Sequence, residues 1–331
     1  MSSMSAARPS SRIDLVDVLR GIAIAAMVVY HFSWDLGFYT FVDWPVETST
    51  GWRWFAHLIA GSFIVLVGVS LVLAHRHGIR WRTFFNRLAL IVAAAIAVSV
   101  GSYLLFPEAW IYFGILHCIA AASLLALPAV RAHVAVPVLL AVAFFALPHV
   151  FRADVFNAAG LAWVGLGTLP PPPANDYVPV FPWVGCAYAG VALGRLALTL
   201  RSREAWAGWR ARDPVSRAVA WSGRQSLWIY LAHQPILLAL LGLLALGFPP
   251  QHTVNPADRA SFLDACERQC APMLGARQEC QAICSCAADN IEQAGLWERT
   301  ITQSLNATDQ DRVDAIVDAC GTQVRETLPV R

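Results

Sequence analysis

The chain has 331 residues, of which 57% are hydrophobic and 14% are charged, and its mean hydropathy is +0.53. These values exclude an ordinary soluble domain, in which about 25% of residues are charged, and indicate a protein that lies largely in a bilayer. The net charge of +2 conceals two regions of opposite sign, because residues 1–247 carry 17 Arg against 10 acidic residues and residues 248–331 carry 7 Arg against 12.

Seven apolar runs are long enough to cross the hydrocarbon as helices, which takes about 20 residues each. They lie at residues 16–38, 54–75, 88–106, 111–130, 133–151, 181–200 and 225–247. The apolar segment 156–169 is too short to span and is followed by four prolines, so we expect an interfacial or re-entrant piece there. The sequence therefore predicts an all-α fold, a polytopic bundle of about seven membrane helices.

Arginine is concentrated in alternate loops between these runs. Two Arg precede the first run, four lie between residues 76 and 87, Arg131 lies in a short link, and six lie in residues 201–224. The intervening loops carry two Arg in total. Because cytoplasmic loops are enriched in basic residues, we expect the N-terminus in the cytoplasm and the C-terminus outside.

The region after the last run is predicted to be a small helical domain, so that the chain divides into residues 1–250 and 251–331. Six of the eight cysteines lie there, in a pattern that places two pairs on the faces of two antiparallel helices. These faces oppose Cys266 to Cys284 and Cys270 to Cys280, and Cys286 could reach Cys320 on a later helix. We therefore expect disulfides, while the sequence leaves their connectivity open. A zinc site with four cysteine ligands is the alternative, although such sites more often use a spacing of two residues.

The first apolar run carries three ionisable side chains, Arg20, His31 and Asp35. Such groups are expensive in hydrocarbon and usually face a bundle interior or a water-filled cavity. His31 lies within about 20° of the face of Arg20 and roughly 16 Å along the helix, and Asp35 follows one turn later. We predict that Arg20 binds a phosphate group. We predict that Asp35 orients the His31 imidazole as a catalytic base.

The alternative for Arg20 is that it extends to the lipid headgroups and pairs with Asp17. The alternative for a single membrane histidine is an interhelical hydrogen bond. The case for a cavity therefore depends on further polar residues in other runs, which we predict to contact the substrate. They are His117 in the fourth run, Trp183 in the sixth, and His233 with Gln234 in the seventh.

Five segments carry a resemblance to a known family. They are RIDLVDVLRGIAIAAMVVYHFSWDL, AGSFIVLVGVSL, YFGILHCIAAASLL, FPWVGCAYAGVALGR and SLWIYLAHQPILL. The first segment contains an arginine, Arg20, followed by ten residues and then a histidine, His31. This spacing resembles that of bacterial membrane acyltransferases that modify envelope glycans. The five segments, taken together in their order along the chain, resemble the catalytic domain of heparan-alpha-glucosaminide N-acetyltransferase and its uncharacterised bacterial relatives. The resemblance covers most of residues 12–245 and leaves out the cysteine-rich region.

The resemblance implies transfer of an acetyl or short acyl group from cytoplasmic acetyl-CoA, as co-substrate, to a hydroxyl or amine of an envelope sugar or glycolipid. It assigns Arg20 to the CoA phosphates and His31 to the thioester. The lysosomal relative differs, with an asparagine in place of His31 and its proposed catalytic histidine in the following loop. Here that loop offers only Asp43 and Glu47 as ionisable groups. The expected location is the bacterial inner membrane, with the cysteine-rich region in the periplasm.

Two other classes of function stay open. A non-enzymatic membrane scaffold or sensor would use the cysteine-rich region to bind a periplasmic protein. A transporter would show internal repeats with broken helices, and the sequence has no visible repeat. We expect no nucleic-acid partner, because no basic nucleic-acid patch is visible. We expect no metal, because the cysteine spacing favours disulfides over a zinc site.

Overall fold

The computed structural model describes residues 13–42, 44–46, 48–200, 203–248, 256–274, 277–302 and 305–327. Within these residues the regular elements are helices, and an isolated bridge between Phe113 and Tyr177 is the only β pairing. The all-α fold predicted from the sequence is confirmed. The chain divides into two compact units, Met1–Phe248 and Pro249–Arg331.

The described part of the first unit contains nine α-helices. They are α1 (Asp14–Phe38), α2 (Thr50–His75), α3 (Trp81–Leu105), α4 (Ile115–Ala126), α5 (Ala135–Val150), α6 (Val180–Thr199), α7 (Arg203–Gly208), α8 (Pro214–Arg224) and α9 (Ser226–Gly247). Five of them, α1, α2, α3, α6 and α9, are long and apolar enough to cross a bilayer. Their 20 to 26 residues extend roughly 30 to 39 Å, against a hydrocarbon thickness of about 30 Å. The protein is therefore a multi-pass membrane protein.

The fourth and fifth runs form shorter helices than the sequence predicts. The helix α4 has 12 residues and α5 has 16, against the expected spans 111–130 and 133–151. The helix α4 begins late because Phe113 pairs with Tyr177 in the bridge, and it ends just before Pro128 opens a 3-10 helix. Non-helical backbone at membrane depth is tolerated where protein covers it. Packing of α4 against α2, α3 and α6 supplies that cover.

The main core of the first unit lies where α2, α4 and α6 meet. Ile64 of α2 and Val184 of α6 are completely buried there. Gly68 and Gly190 let the backbones of α2 and α6 touch, because a Cβ on either glycine would collide with a backbone carbonyl of the other helix. Small residues at such a crossing allow the close packing that holds membrane helices together.

The sequence prediction treated residues 201–224 as a loop, but most of this stretch is helical. The helix α8 begins with a proline at its first position, and the Asp213 carboxylate before it accepts the Ser216 backbone N–H at 2.8 Å. It packs along α1, where Gly21 and Gly223 bring the two backbones together. The first turns of α1 are therefore covered by protein on this side.

The apolar segment 156–169 forms no α-helix, which confirms that it does not cross the membrane as one. Its chain folds into two short 3-10 helices, Asp154–Asn157 and Ala162–Val164. The side-chain oxygen of Asn157 accepts the backbone N–H of Thr168 at 2.9 Å and so ties the ends of the loop together.

The second unit consists of α10 (Pro256–Leu274), α11 (Arg277–Gln293), α12 (Trp297–Ile301) and α13 (Ala307–Thr327). Its three disulfides are Cys266–Cys284, Cys270–Cys280 and Cys286–Cys320. These are the pairs that the sequence places within reach of each other, and the bonds leave none of these six thiols available as a zinc ligand. Ile291 and Leu296 are completely buried in the core between the helices.

Candidate functional site

Arg20 lies in the second turn of α1, where α1 packs against α2. Its Nη1 donates to Asp17 Oδ1 at 3.0 Å, and its Nη2 donates to the hydroxyl oxygen of Ser70 on α2. Asp17 is buried, and the Arg20 side chain keeps 20% of its surface exposed. The pairing with Asp17 is therefore present, but the contact with Ser70 ties the guanidinium to the neighbouring helix.

The imidazoles of His31 on α1 and His233 on α9 meet with their ring centroids 4.9 Å apart. His233 Nδ1 lies 2.7 Å from the Tyr230 carbonyl oxygen. Because a carbonyl only accepts, Nδ1 carries the proton, and Nε2 of the neutral ring presents a lone pair. This Nε2 is buried and has no hydrogen-bond partner in the described part of the chain. The structure thus brings together two imidazoles, one of which has a defined orientation.

Asp35 is completely buried, and its partner differs from the one predicted. Its Oδ1 accepts the Gln234 amide N–H at 2.6 Å, across the contact between α1 and α9. The expected hydrogen bond from the His31 ring to this carboxyl group is not found among the described residues. The reason is that α9 offers an amide donor at close range, so that Asp35 orients Gln234 instead of His31.

His31, Asp35, His233 and Gln234 form what we name the polar cluster. Three of its buried atoms lack a hydrogen-bond partner within the described ranges, namely Asp35 Oδ2, His233 Nε2 and Gln234 Oε1. Each buried polar atom left unsatisfied costs about 1 to 3 kcal/mol, and native proteins contain few of them. All three atoms are acceptors, so a ligand that donates hydrogen bonds would satisfy them.

His117 is engaged at the N-terminus of α4. Its Nδ1 accepts the Gly114 backbone N–H at 3.2 Å, and its Nε2 lies 3.3 Å from Ser99 Oγ. No hydrogen bond or ring contact joins it to the polar cluster in the residues that the structure describes. Since protein groups occupy both of its ring nitrogens, these contacts are those of a residue that caps α4 and links it to α3.

Trp183 lies near the start of α6, and its ring contacts His57 of α2 with centroids 5.4 Å apart. Among the described residues it has no ring contact or hydrogen bond with the polar cluster. Asp43 and Glu47, the two ionisable groups of the loop after α1, lie outside the described residues. The structure therefore unites four of the seven predicted site residues and leaves Arg20, His117 and Trp183 at other places in the bundle.

Asp176 lies on the chain before α6, and the sequence prediction gave it no role in the site. Its Oδ2 accepts the Ile115 backbone N–H at 2.7 Å, at the N-terminus of α4. Burial raises the pKa of the Asp176 carboxyl group to about 6, although the hydrogen bond from Ile115 acts in the opposite direction. A carboxylate at a helix N-terminus is favourable, but no sequence pattern signals a contact between residues so far apart in the chain.

The arrangement combines a cationic group near one end of α1 with proton-accepting groups further along the same helix. Arg20 and His31 lie roughly 16 Å apart along the axis of α1, as the rise per residue of an α-helix gives. Such an arrangement can hold an anionic group at one end of a ligand while a proton is transferred at the other.

The model of the family described as heparan-alpha-glucosaminide N-acetyltransferase, catalytic, matches residues 12–235. The match includes all seven residues predicted for the site and ends immediately after Gln234. It does not extend into the second unit. No curated protein and no solved structure matches the chain.

Proposed function

Because the chain belongs to the heparan-alpha-glucosaminide N-acetyltransferase catalytic-domain family, we propose that it transfers an acetyl or short acyl group from acyl-CoA to an envelope sugar or glycolipid. The acceptor atom in this proposal is a hydroxyl oxygen or an amine nitrogen. The proposal also places residues 1–250 in a bacterial inner membrane with the N-terminus in the cytoplasm. Residues 251–331 then form a periplasmic domain.

The observation that carries the proposal is the set of unsatisfied atoms in the polar cluster. Asp35 Oδ2, His233 Nε2 and Gln234 Oε1 are buried without partners in the described part of the chain, next to the His31 ring. A substrate that presents N–H or O–H groups matches these three acceptors.

In the proposed reaction, His31 removes the proton from the acceptor as the acceptor atom attacks the thioester carbonyl carbon. A new C–O or C–N bond forms, the C–S bond breaks, and the CoA thiolate leaves and takes up the proton that His31 received. His233 Nε2 and Gln234 Oε1 accept hydrogen bonds from O–H or N–H groups of the substrate that receives the acyl group, and so orient it. Asp35 acts as a positioning residue, since it holds the Gln234 amide.

Arg20 is the candidate for the phosphate groups of CoA. The side chain has a fixed orientation, because Asp17 and Ser70 hold it, and it remains partly accessible. A guanidinium presents five N–H donors in one plane, a geometry that suits the oxygen atoms of a phosphate group.

The test compares acyl-CoA consumption by the purified wild-type chain with that of His31→Asn and of a control, His149→Asn. His149 is an exposed residue in the last turn of α5. Loss of a general base lowers the rate by about 10²- to 10⁴-fold, and the control is expected to keep the wild-type rate. Equal rates in all three proteins would remove His31 from the mechanism.

The second candidate is a non-enzymatic scaffold or sensor that binds a partner through the cysteine-rich domain. The observation in its favour is that the second unit, with three disulfides, lies outside the family match. The same assay separates the two candidates. A scaffold predicts no acyl-CoA consumption by the wild-type protein.

A further inference from the structure

A second polar feature lies in the first unit, in a pocket of about 450 Å³ that includes no residue of the polar cluster. Basic side chains from α2, from the 3-10 helix Pro128–Arg131 and the chain after it, and from α6 line this pocket. They are His75, Arg76, Arg131, His133 and Arg195. We name this feature the basic pocket.

The basic pocket has no counter-charge of its own. No carboxylate lines it, and Arg76, Arg131 and Arg195 form no ion pair within the described residues. Arg195 Nη1 donates to the Val130 carbonyl at 2.6 Å, which fixes the side chain, while its Nε is buried without a hydrogen-bond partner in the described structure. Like charges gathered in a concave site attract an anion and are stabilised by it.

Two simpler explanations account for only part of this arrangement. Arginines near the ends of membrane helices follow from the enrichment of basic residues in cytoplasmic loops. Cations at the C-terminal end of α2 also complement the helix dipole. Neither explanation accounts for the convergence of arginines from three separate elements on one pocket. Neither provides a hydrogen-bond partner for the buried Nε of Arg195.

We propose that the basic pocket binds a phosphate ester, carried either by an anionic phospholipid headgroup or by a soluble phosphate compound. The planar guanidinium matches phosphate oxygens, and basic pockets between membrane helices bind anionic headgroups. Two apolar side chains of the lining, Val134 and Leu196, are 36% and 53% exposed and provide a surface for acyl chains. This site does not depend on the proposed acyl transfer.

The experiment uses the purified full chain in detergent, with phosphatidylglycerol, phosphatidylcholine or inorganic pyrophosphate added. Binding is followed by thermal unfolding and by native mass spectrometry. The variants are Arg76→Gln and Arg131→Gln, whose side chains are exposed and make no ion pair within the described ranges, so that folding is preserved. The matched control is Arg82→Gln, an exposed arginine at the start of α3 that does not line the pocket.

We expect phosphatidylglycerol to raise the Tm and phosphatidylcholine to leave it unchanged. Each pocket variant should raise the Kd about tenfold, as expected for loss of one charge-assisted contact, and the control should not. A response to pyrophosphate alone, lost in the pocket variants, would identify a soluble phosphate compound as the ligand. Binding that the pocket variants leave unchanged, or no binding of either phosphate probe, would overturn the proposal.

Discussion

Gln234 is the residue whose replacement tests the polar cluster most directly. Its amide donates to Asp35 at 2.6 Å across the contact between α1 and α9, and the Asp35 carboxyl group is completely buried. Gln234→Met keeps the length of the side chain and removes the donor. The carboxyl group then loses the one hydrogen bond that the described residues give it.

The magnitude follows from that geometry. Loss of a hydrogen bond to a carboxylate costs about 1.5 to 3 kcal/mol, and the Asp35 side chain is completely buried. For a unit of this size, about 2 kcal/mol corresponds to a fall in Tm of roughly 4 to 8 °C. The measurement is thermal unfolding in detergent, with acyl-CoA consumption recorded on the same samples.

A double variant separates stability from activity. Replacing both partners of a buried hydrogen bond by apolar groups of similar shape is often nearly neutral. We therefore expect Asp35→Leu combined with Gln234→Met to be less destabilised than the sum of the two single variants, while its activity stays low. Additive losses of Tm, or a Gln234→Met protein that matches the wild type in Tm and rate, would refute the reasoning.

Two further predictions concern parts of the fold that support this site. Gly68→Ala should destabilise the protein by about 1 to 3 kcal/mol, because the new methyl group meets the backbone of α6. Gly101→Ala, in open space on α3, should be neutral or stabilising in the same thermal assay. A Gly68→Ala protein as stable as Gly101→Ala would contradict the close crossing. The raised pKa of Asp176, about 6 against an ordinary 3.8, means that the folded state holds this proton more tightly than the unfolded state. Its contribution to stability is therefore present below pH 4 and is lost as the pH rises through 6. The Asp176→Asn variant should not show this loss of stability as the pH rises. If the Tm of the variant and of the wild type changed in parallel between pH 4 and 7, the raised pKa of Asp176 would be contradicted.

The sequence predicted the members of the polar cluster more successfully than their contacts. Buried ionisable and polar groups in apolar runs singled out His31, Asp35, His233 and Gln234, because such groups are costly in hydrocarbon. Helical periodicity then paired Asp35 with His31, its nearest neighbour on the same face. The structure pairs Asp35 with Gln234, 199 residues away, because an amide on a packed helix lies within reach.

The same limit applies to His117 and Asp176. His117 was selected for its apolar surroundings, yet the nearby chain uses both of its ring nitrogens. Asp176 received no role, since the partner of its carboxyl group lies on a helix 61 residues earlier in the chain. Periodicity describes which residues share a face of one helix, and it contains no information about which helix will meet that face.

The sequence alone determined the features that depend on local spacing and on the solvent. Apolar runs of sufficient length specify membrane helices, because the bilayer requires every backbone group to be satisfied within the segment. Cysteines four residues apart on two antiparallel helices placed Cys266 opposite Cys284 and Cys270 opposite Cys280, and the structure bonds these pairs. Tertiary structure decided the shortening of α4, the packing of α8 on α1, the partner of Asp35 and the basic pocket. Each of these depends on elements far apart in the chain, whose contacts are fixed only when the helices pack.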